Sequence, residues 1–256
     1  MTIARVKTDI EGFDAMLGGG FIPQTANLIE GAPGTGKTTL GMQFIYNGIV
    51  NYDEPGLIIT FEEFPQQYYY DAASFGWDFR KLEDEGKLKI IMTSPEVTRN
   101  DLENVGGLIE TQIARMGIKR IFVDSITHFE RLTQNQTDLR LIEFGFINAL
   151  KREGLTSLLA KESPALLGDS PEGDSEIAFV VDSYSILRYV EIDSAISKAV
   201  LVLKMRGSDH AKDIRQYEIT PQAGFQLKSK FTGQEGILSG APRRSKVDAF
   251  DEAFLR

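Results

Sequence analysis

Eight residues, Gly31-Ala32-Pro33-Gly34-Thr35-Gly36-Lys37-Thr38, have the types and spacing of a loop that wraps the phosphates of a nucleoside triphosphate. Turning successive backbone N–H groups onto an anion needs conformations that glycine adopts cheaply, hence Gly31, Gly34 and Gly36. A helix opening at Lys37 adds unpaired N–H groups and its positive dipole end. Lys37 supplies a charge for the β/γ-phosphates, and the Thr38 hydroxyl can ligate Mg²⁺. Gly31, Pro33, Gly34, Thr35, Gly36, Lys37, Thr38 and Thr39 are therefore the candidate set for ATP or ADP.

Such a site needs an acidic partner at the metal. Arg120-Ile121-Phe122-Val123-Asp124-Ser125 is an apolar run ending in aspartate. In an open parallel sheet the strand C-termini face the ligand crevice, so Asp124, with Ser125 beside it, is expected near Mg²⁺. Glu62 and Glu63 close another apolar run, and alternation along a strand would send one of them into the crevice. A carboxylate there could activate the attacking water; an acidic strand end open to solvent is the plainer alternative. Lys204 and Arg206 stand two apart before Gly207-Ser208-Asp209-His210, so on a strand both cations share a face suited to phosphate. An ordinary charged edge would look the same. Aromatics around Phe75 could stack on a base or simply be core.

The elements that would hold these residues alternate between apolar strands and helical periodicity, the pattern of an α/β protein with a mainly parallel sheet. Strands are expected at 26–30, 56–61, 88–92, 120–124 and 156–160, and helices at 38–50, 65–75, 101–116 and 138–153. The helix at 101–116 would start with Asn100 as cap and Glu103 three residues on. Beyond about residue 184, strands at 185–191, 199–205 and 215–220 follow without helices and should form an antiparallel edge. A surface loop at 163–175 and a short helix at 247–256 complete the expectation. One domain over 1–244 and a tail over 245–256 fit a chain of 256 residues without repeats.

A net charge of −9 argues against broad binding to nucleic acid. No apolar run is long enough for a membrane span, so the chain is expected to be cytoplasmic, without a membrane partner. With no cysteine and two histidines, thiolate chemistry is excluded and a histidine-rich metal site is implausible.

Four segments together resemble the KaiC-like branch of the RecA-like ATPases. They are Ile10-Glu11-Gly12-Phe13-Asp14-Ala15-Met16-Leu17-Gly18-Gly19-Gly20, the P-loop, Thr60-Phe61-Glu62-Glu63, and Lys204-Met205-Arg206-Gly207-Ser208 with His210. Ile237-Leu238-Ser239-Gly240-Ala241-Pro242 is similar to the ending of such a domain. The resemblance implies a RecA-like P-loop NTPase fold, assembled as a homo-oligomeric ring, usually a hexamer, with ATP between subunits. It implies that Lys37 and Thr38 hold phosphate and Mg²⁺ with Asp124 behind them, and that Glu62 and Glu63 match a catalytic pair, Glu62 also standing near the metal. Lys204, Arg206, Ser208 and His210 match the segment that reaches the neighbour's nucleotide, and Phe75 matches an adenine-stacking aromatic. Glu162 matches a further carboxylate of the ATPase type.

The clock member of the family carries two such domains in tandem, whereas this chain shows one. Where its autokinase domain has two adjacent hydroxyl residues, Ala178 and Phe179 stand here, which disfavours self-phosphorylation at that place. The expected function is a slow, ring-forming ATPase that signals or keeps time through a protein partner not identifiable from sequence. Its rivals are a single-stranded-DNA recombination mediator, an autokinase, and a non-hydrolysing adaptor.

Overall fold

The computed structural model describes residues 4–103, 106–164, 177–192, 194–231, 234–235 and 243–244. Among the described residues, nine strands form one sheet in the order β3-β2-β4-β5-β1-β6-β7-β8-β9. Its parallel part comprises β1 (Ala26–Gly31), β2 (Gly56–Thr60), β3 (Leu88–Met92), β4 (Arg120–Asp124), β5 (Thr156–Glu162) and β6 (Ser183–Ile192). All six residues of β1 are buried, because the strand lies mid-sheet with helices on both faces.

The antiparallel edge begins one strand later than expected. β6 runs parallel to β1, and only β7 (Ala195–Met205), β8 (Arg215–Thr220) and β9 (Gly224–Lys230) run antiparallel. β9 was not expected as a strand at all. Its alternation of Phe225 and Leu227 inward with polar residues outward is short, and it follows a turn in which Gly224 takes φ 67°.

Helices α1 (Phe13–Met16), α2 (Lys37–Tyr52), α3 (Pro65–Ser74) and α4 (Phe79–Asp84) accompany one core, built around Ile29, Ile58, Phe122 and Leu158. The opposite face packs Leu28, Leu57, Val123 and Leu159 against α6 (Leu108–Met116) and α7 (Gln136–Arg152). The α7 stripe Leu139, Ile142, Phe146 and Leu150 is buried as its spacing predicts, and Asn135 caps it by accepting from Thr137 N at 2.9 Å.

The helix expected at 101–116 is two helices, α5 (Pro95–Glu103) and α6. Gly106 takes φ 85° between them, and the Asp101 carboxylate accepts from Leu108 N, so it caps α6 from across the break. Asn100 therefore lies inside α5 rather than at a cap; Ser94 Oγ, accepting from Val97 N at 3.3 Å, stands at the true start. The short helix α4 was missed; Asp78 accepts from Lys81 N and caps it. The expected helix at 247–256, the 237–242 ending and the loop from 165 to 175 lie outside the described residues.

Among the buried polar residues, Arg120 is firmly anchored. Arg120 is 1% exposed, and its guanidinium donates to Glu54 Oε2 at 2.6 Å, Lys7 O at 2.8 Å and Phe44 O at 3.1 Å. This ties the start of β4 to α2, the two elements that carry Asp124 and Thr38.

Candidate nucleotide site

The P-loop runs from the end of β1 into α2. Gly34 takes φ 77° and Gly36, at the helix start, φ 101°. A methyl group on Gly36 would stand 2.2 Å from Ile219 Cδ1, the movable end of a half-buried side chain, so it is the conformation that calls for glycine there. The loop also closes on itself: Thr35 Oγ1 donates to Ala32 O at 2.7 Å, and Lys37 Nζ donates to Gly31 O at 2.8 Å and Ala32 O at 3.2 Å. Burial lowers the Lys37 pKa, and the negative charges of Glu162, Asp124 and Glu30 work against that shift. Thr39 is half-buried on the next position.

Asp124 ends β4, two strands from β1, and stands against the first turn of α2. Thr38 Oγ1 donates to Asp124 Oδ2 at 2.8 Å, and the Tyr68 hydroxyl donates to the same oxygen at 3.0 Å. Desolvation raises the Asp124 pKa, opposed by those two hydroxyls and by Lys37. The Asp124–Ser125 peptide is cis. Ser125 Oγ is buried without a hydrogen-bond partner among the described residues.

The residues fit Mg²⁺ in its usual protein setting, where one or two side chains add to phosphate oxygens and waters. Thr38 and Asp124 supply hard oxygen donors, and the orphaned Ser125 hydroxyl beside them leaves polar capacity unspent. Among the described residues no group of three His, Asp or Glu could hold a metal by itself.

Glu62 is not gathered to that pair. β2 ends at Thr60, so both glutamates lie in the loop beyond it, and strand alternation does not decide their directions. Glu62 Oε1 lies 3.4 Å from His128 Nε2 and 3.5 Å from Arg131 Nη2, both on the 3₁₀ helix Ile126–Arg131 that follows Asp124. Glu63 is held differently. Its backbone is held by Thr60 Oγ1, and its charge acts on the Tyr68 hydroxyl that bonds Asp124.

Lys204 and Arg206 do converge, but far from this chain's own P-loop. Lys204 is level with Tyr184 and so with Leu28, three residues before Gly31 and two strands over. Lys204 Nζ donates to Ala178 O at 2.7 Å and Val181 O at 2.8 Å, and Arg206 Nη2 to Phe179 O at 2.5 Å, at the end of the short helix α8 (Ile177–Val180). Ser208 Oγ accepts from Arg5 Nη2 at 2.6 Å, and His210 lies further along the same loop. Phe75 is half-buried and stacks on Trp77 with ring centroids 4.7 Å apart. Ser183, Tyr184 and Ser185 are buried strand residues of β6. Glu162, exposed at the end of β5, is near enough to bear on both Lys37 and Asp124.

Several side chains that sequence reasoning passed over bear on the loop. Lys198 Nζ donates to Gly34 O at 3.0 Å, the Tyr189 hydroxyl to Pro33 O at 3.4 Å, and the Tyr217 hydroxyl to Thr35 O at 2.6 Å. They come from β6, β7 and β8, more than 150 residues downstream, and no local motif marks them. Tyr68 and His128 were missed for the same reason.

A glycine-rich loop leaving a central strand, with its threonine bonded to an aspartate two strands away, defines a P-loop NTPase of RecA-like build. Residues 6–230 match the family model described as "ATPase: KaiC". The chain belongs to that family. It is 38% identical over 244 residues to the circadian clock oscillator protein KaiC of Nostoc sp. (strain PCC 7120), covering 95% of this chain and 46% of that protein. It is 36% identical over 253 residues to the circadian clock protein KaiC3 of Synechocystis sp. (strain PCC 6803), covering 98% and 49%. The oscillator protein KaiC of Thermosynechococcus vestitus is 36% identical over 244 residues, covering 95% and 46%. The chain thus spans about half the length of the curated relatives it matches. Among the described residues, no helix is long and apolar enough to cross a membrane.

Proposed function

We propose that this chain binds ATP with Mg²⁺ at the P-loop and hydrolyses it slowly, within a homo-oligomeric ring, usually a hexamer, that holds nucleotide between subunits. The observation that carries the binding site is the 2.8 Å contact from Thr38 to Asp124, beside a lysine buried against the loop carbonyls. ATP would displace Lys37 Nζ from Gly31 O and Ala32 O onto phosphate oxygens, while the N–H groups of Gly34 to Thr38 receive the phosphates. Thr38 and Asp124 would hold Mg²⁺, which would supply charge neutralisation to the phosphates. Glu62 or Glu63 takes the proton of the attacking water.

The cross-subunit role of Lys204 and Arg206 is supported by their distance from their own P-loop and by their convergence beside α8. Ser208 and His210 belong to the same cross-subunit segment. Phe75, one face on Trp77 and the other free of ring contacts among the described residues, is the proposed adenine platform. The working unit is one domain over 1–244 with a tail at 245–256, acting in the cytoplasm as a timing or signalling ATPase through a protein partner. Its net charge of −9 disfavours the recombination reading.

The test is titration calorimetry with ATP and ADP, with and without Mg²⁺, followed by light scattering on a sizing column. Uptake of nucleotide, a shift to a closed ring with Mg-ATP and measurable phosphate release are expected. No heat with folded protein overturns the site; release of phosphate by a monomer overturns the ring.

A further inference from the structure

The two adjacent glutamates are held in different ways, and one tether is unusual. The His128 side chain is 7% exposed, its ring edge-on to Phe61 with centroids 5.9 Å apart, and its backbone N–H donates to Ser125 O at 3.2 Å. A nearly buried imidazole would ordinarily spend its nitrogens on interior partners. Here Nε2 instead lies 3.4 Å from Oε1 of the Glu62 carboxylate, which is 57% exposed. Arg131, one turn further along the same 3₁₀ helix, reaches the same atom. Both are ion-pair contacts, at 3.4 and 3.5 Å, and both fall on Oε1.

The carboxylate is thus held by one oxygen and offers the other. The mount is rigid from both sides. Phe61 N donates to Asp124 O at 3.1 Å, joining the glutamate loop to the strand that carries Asp124, and the 3₁₀ helix starts two residues beyond Asp124. A base oriented by a second group, itself fixed by packing, is the arrangement that makes a weak carboxylate effective.

We infer that His128, assisted by Arg131, is a positioning residue that orients Glu62 so that Oε2 accepts the proton of the attacking water. This rests on the hydrolase reading above and deepens it, assigning the base to Glu62 rather than Glu63. The atoms balance simply: the water O–H bond breaks, its proton goes to Oε2, the hydroxide oxygen bonds the γ-phosphorus, and the bridging bond to ADP breaks.

The experiment measures single-turnover and steady-state ATP hydrolysis and ATP affinity for His128→Ala, His128→Gln and Arg131→Gln, each also in a Glu62→Gln background. His128→Ala is expected to lower turnover roughly ten- to hundredfold, since small misplacements of a base cost rates of that size, with ATP affinity unchanged. His128→Gln, whose amide can donate to the same oxygen, should recover most of the loss. In the Glu62→Gln background neither substitution should matter further. If the alanine variant does not fold, Arg131→Gln at an exposed position carries the test, with a severalfold fall expected that vanishes in the same background. Turnover of His128→Ala near the wild-type rate overturns the inference, as does an equal loss with or without the Glu62 carboxylate. Wild-type protein that binds but never hydrolyses ATP overturns the hydrolase reading itself, so the two failures are distinguishable.

Discussion

Arg206→Ala separates two mechanisms by orders of magnitude in rate. Lys204 is level with Leu28 across β6, three residues below Gly31 and two strands over. With Arg206 two residues further, a rise of ~3.3 Å per residue and strand spacing of ~4.8 Å place its backbone about 19 Å from Gly31. At that range a unit charge acts on a phosphate by about 0.2 kcal/mol in water, before salt screening removes most of it. Action within one chain therefore predicts almost no change in turnover. An arginine delivered across an interface predicts a loss of roughly a thousandfold or more.

The fold should tolerate the change, because among the described residues the Arg206 side chain hydrogen-bonds Phe179 O at the surface. The assay is phosphate release together with affinity for a fluorescent ADP analogue, and affinity should change little. Mixing Arg206→Ala with Lys37→Ala then gives a sharper reading. Each variant alone is nearly inactive, but at equal mixing roughly a quarter of interfaces in a head-to-tail ring pair an intact P-loop with an intact arginine. Recovery of activity on mixing is expected. Turnover by Arg206→Ala near the wild-type rate refutes the reasoning, and so does a co-assembled mixture that stays dead.

Three further outcomes follow from the geometry. Burial raises the Asp124 pKa, so the folded state holds that proton more tightly than the unfolded chain, and stability falls as pH rises from the ordinary aspartate range toward the raised value. Asp124→Asn should therefore raise the melting temperature of nucleotide-free protein at neutral pH, converge with wild type in acid, and abolish the Mg²⁺ dependence of ATP binding; a lower neutral melting point refutes this. Gly36→Ala puts a side chain at φ 101°, with Ile219 Cδ1 obliged to turn aside, and should destabilise by about 1–3 kcal/mol in denaturant melts. Arg120→Ala strands Glu54 and the carbonyls of Lys7 and Phe44, and should cost about 3 kcal/mol or more in the same melts, with any folded fraction keeping wild-type ATP affinity.

How far the site was legible depended on how local each feature is. The P-loop is legible because its chemistry is carried by consecutive residues, and Asp124 because an apolar run ending in acid is also local. Glu62 and Glu63 were legible as a pair but not as individuals, since the strand stops at Thr60 and a loop, rather than strand alternation, sets their directions. The split between α5 and α6 was missed although Gly106-Gly107 marks it locally; only the cap from Asp101 to Leu108 N, which spans the break, needed the tertiary structure. The onset of the antiparallel edge was misjudged by one strand, since β6 carries no mark of which neighbour it will pair with.

Sequence alone determined the phosphate-wrapping loop, the acid that ends β4, the alternating strands and helices, and the membership these motifs carry. Each is written in residues within a few positions of one another, where periodicity and stereochemistry operate. Only the tertiary structure decided that Thr38 meets Asp124, that Lys198, Tyr189 and Tyr217 close on the loop, that Lys204 and Arg206 stand away from their own nucleotide site, and that His128 takes hold of Glu62. These contacts join segments distant along the chain, and their distances follow from the order in which strands enter the sheet, which no local pattern encodes.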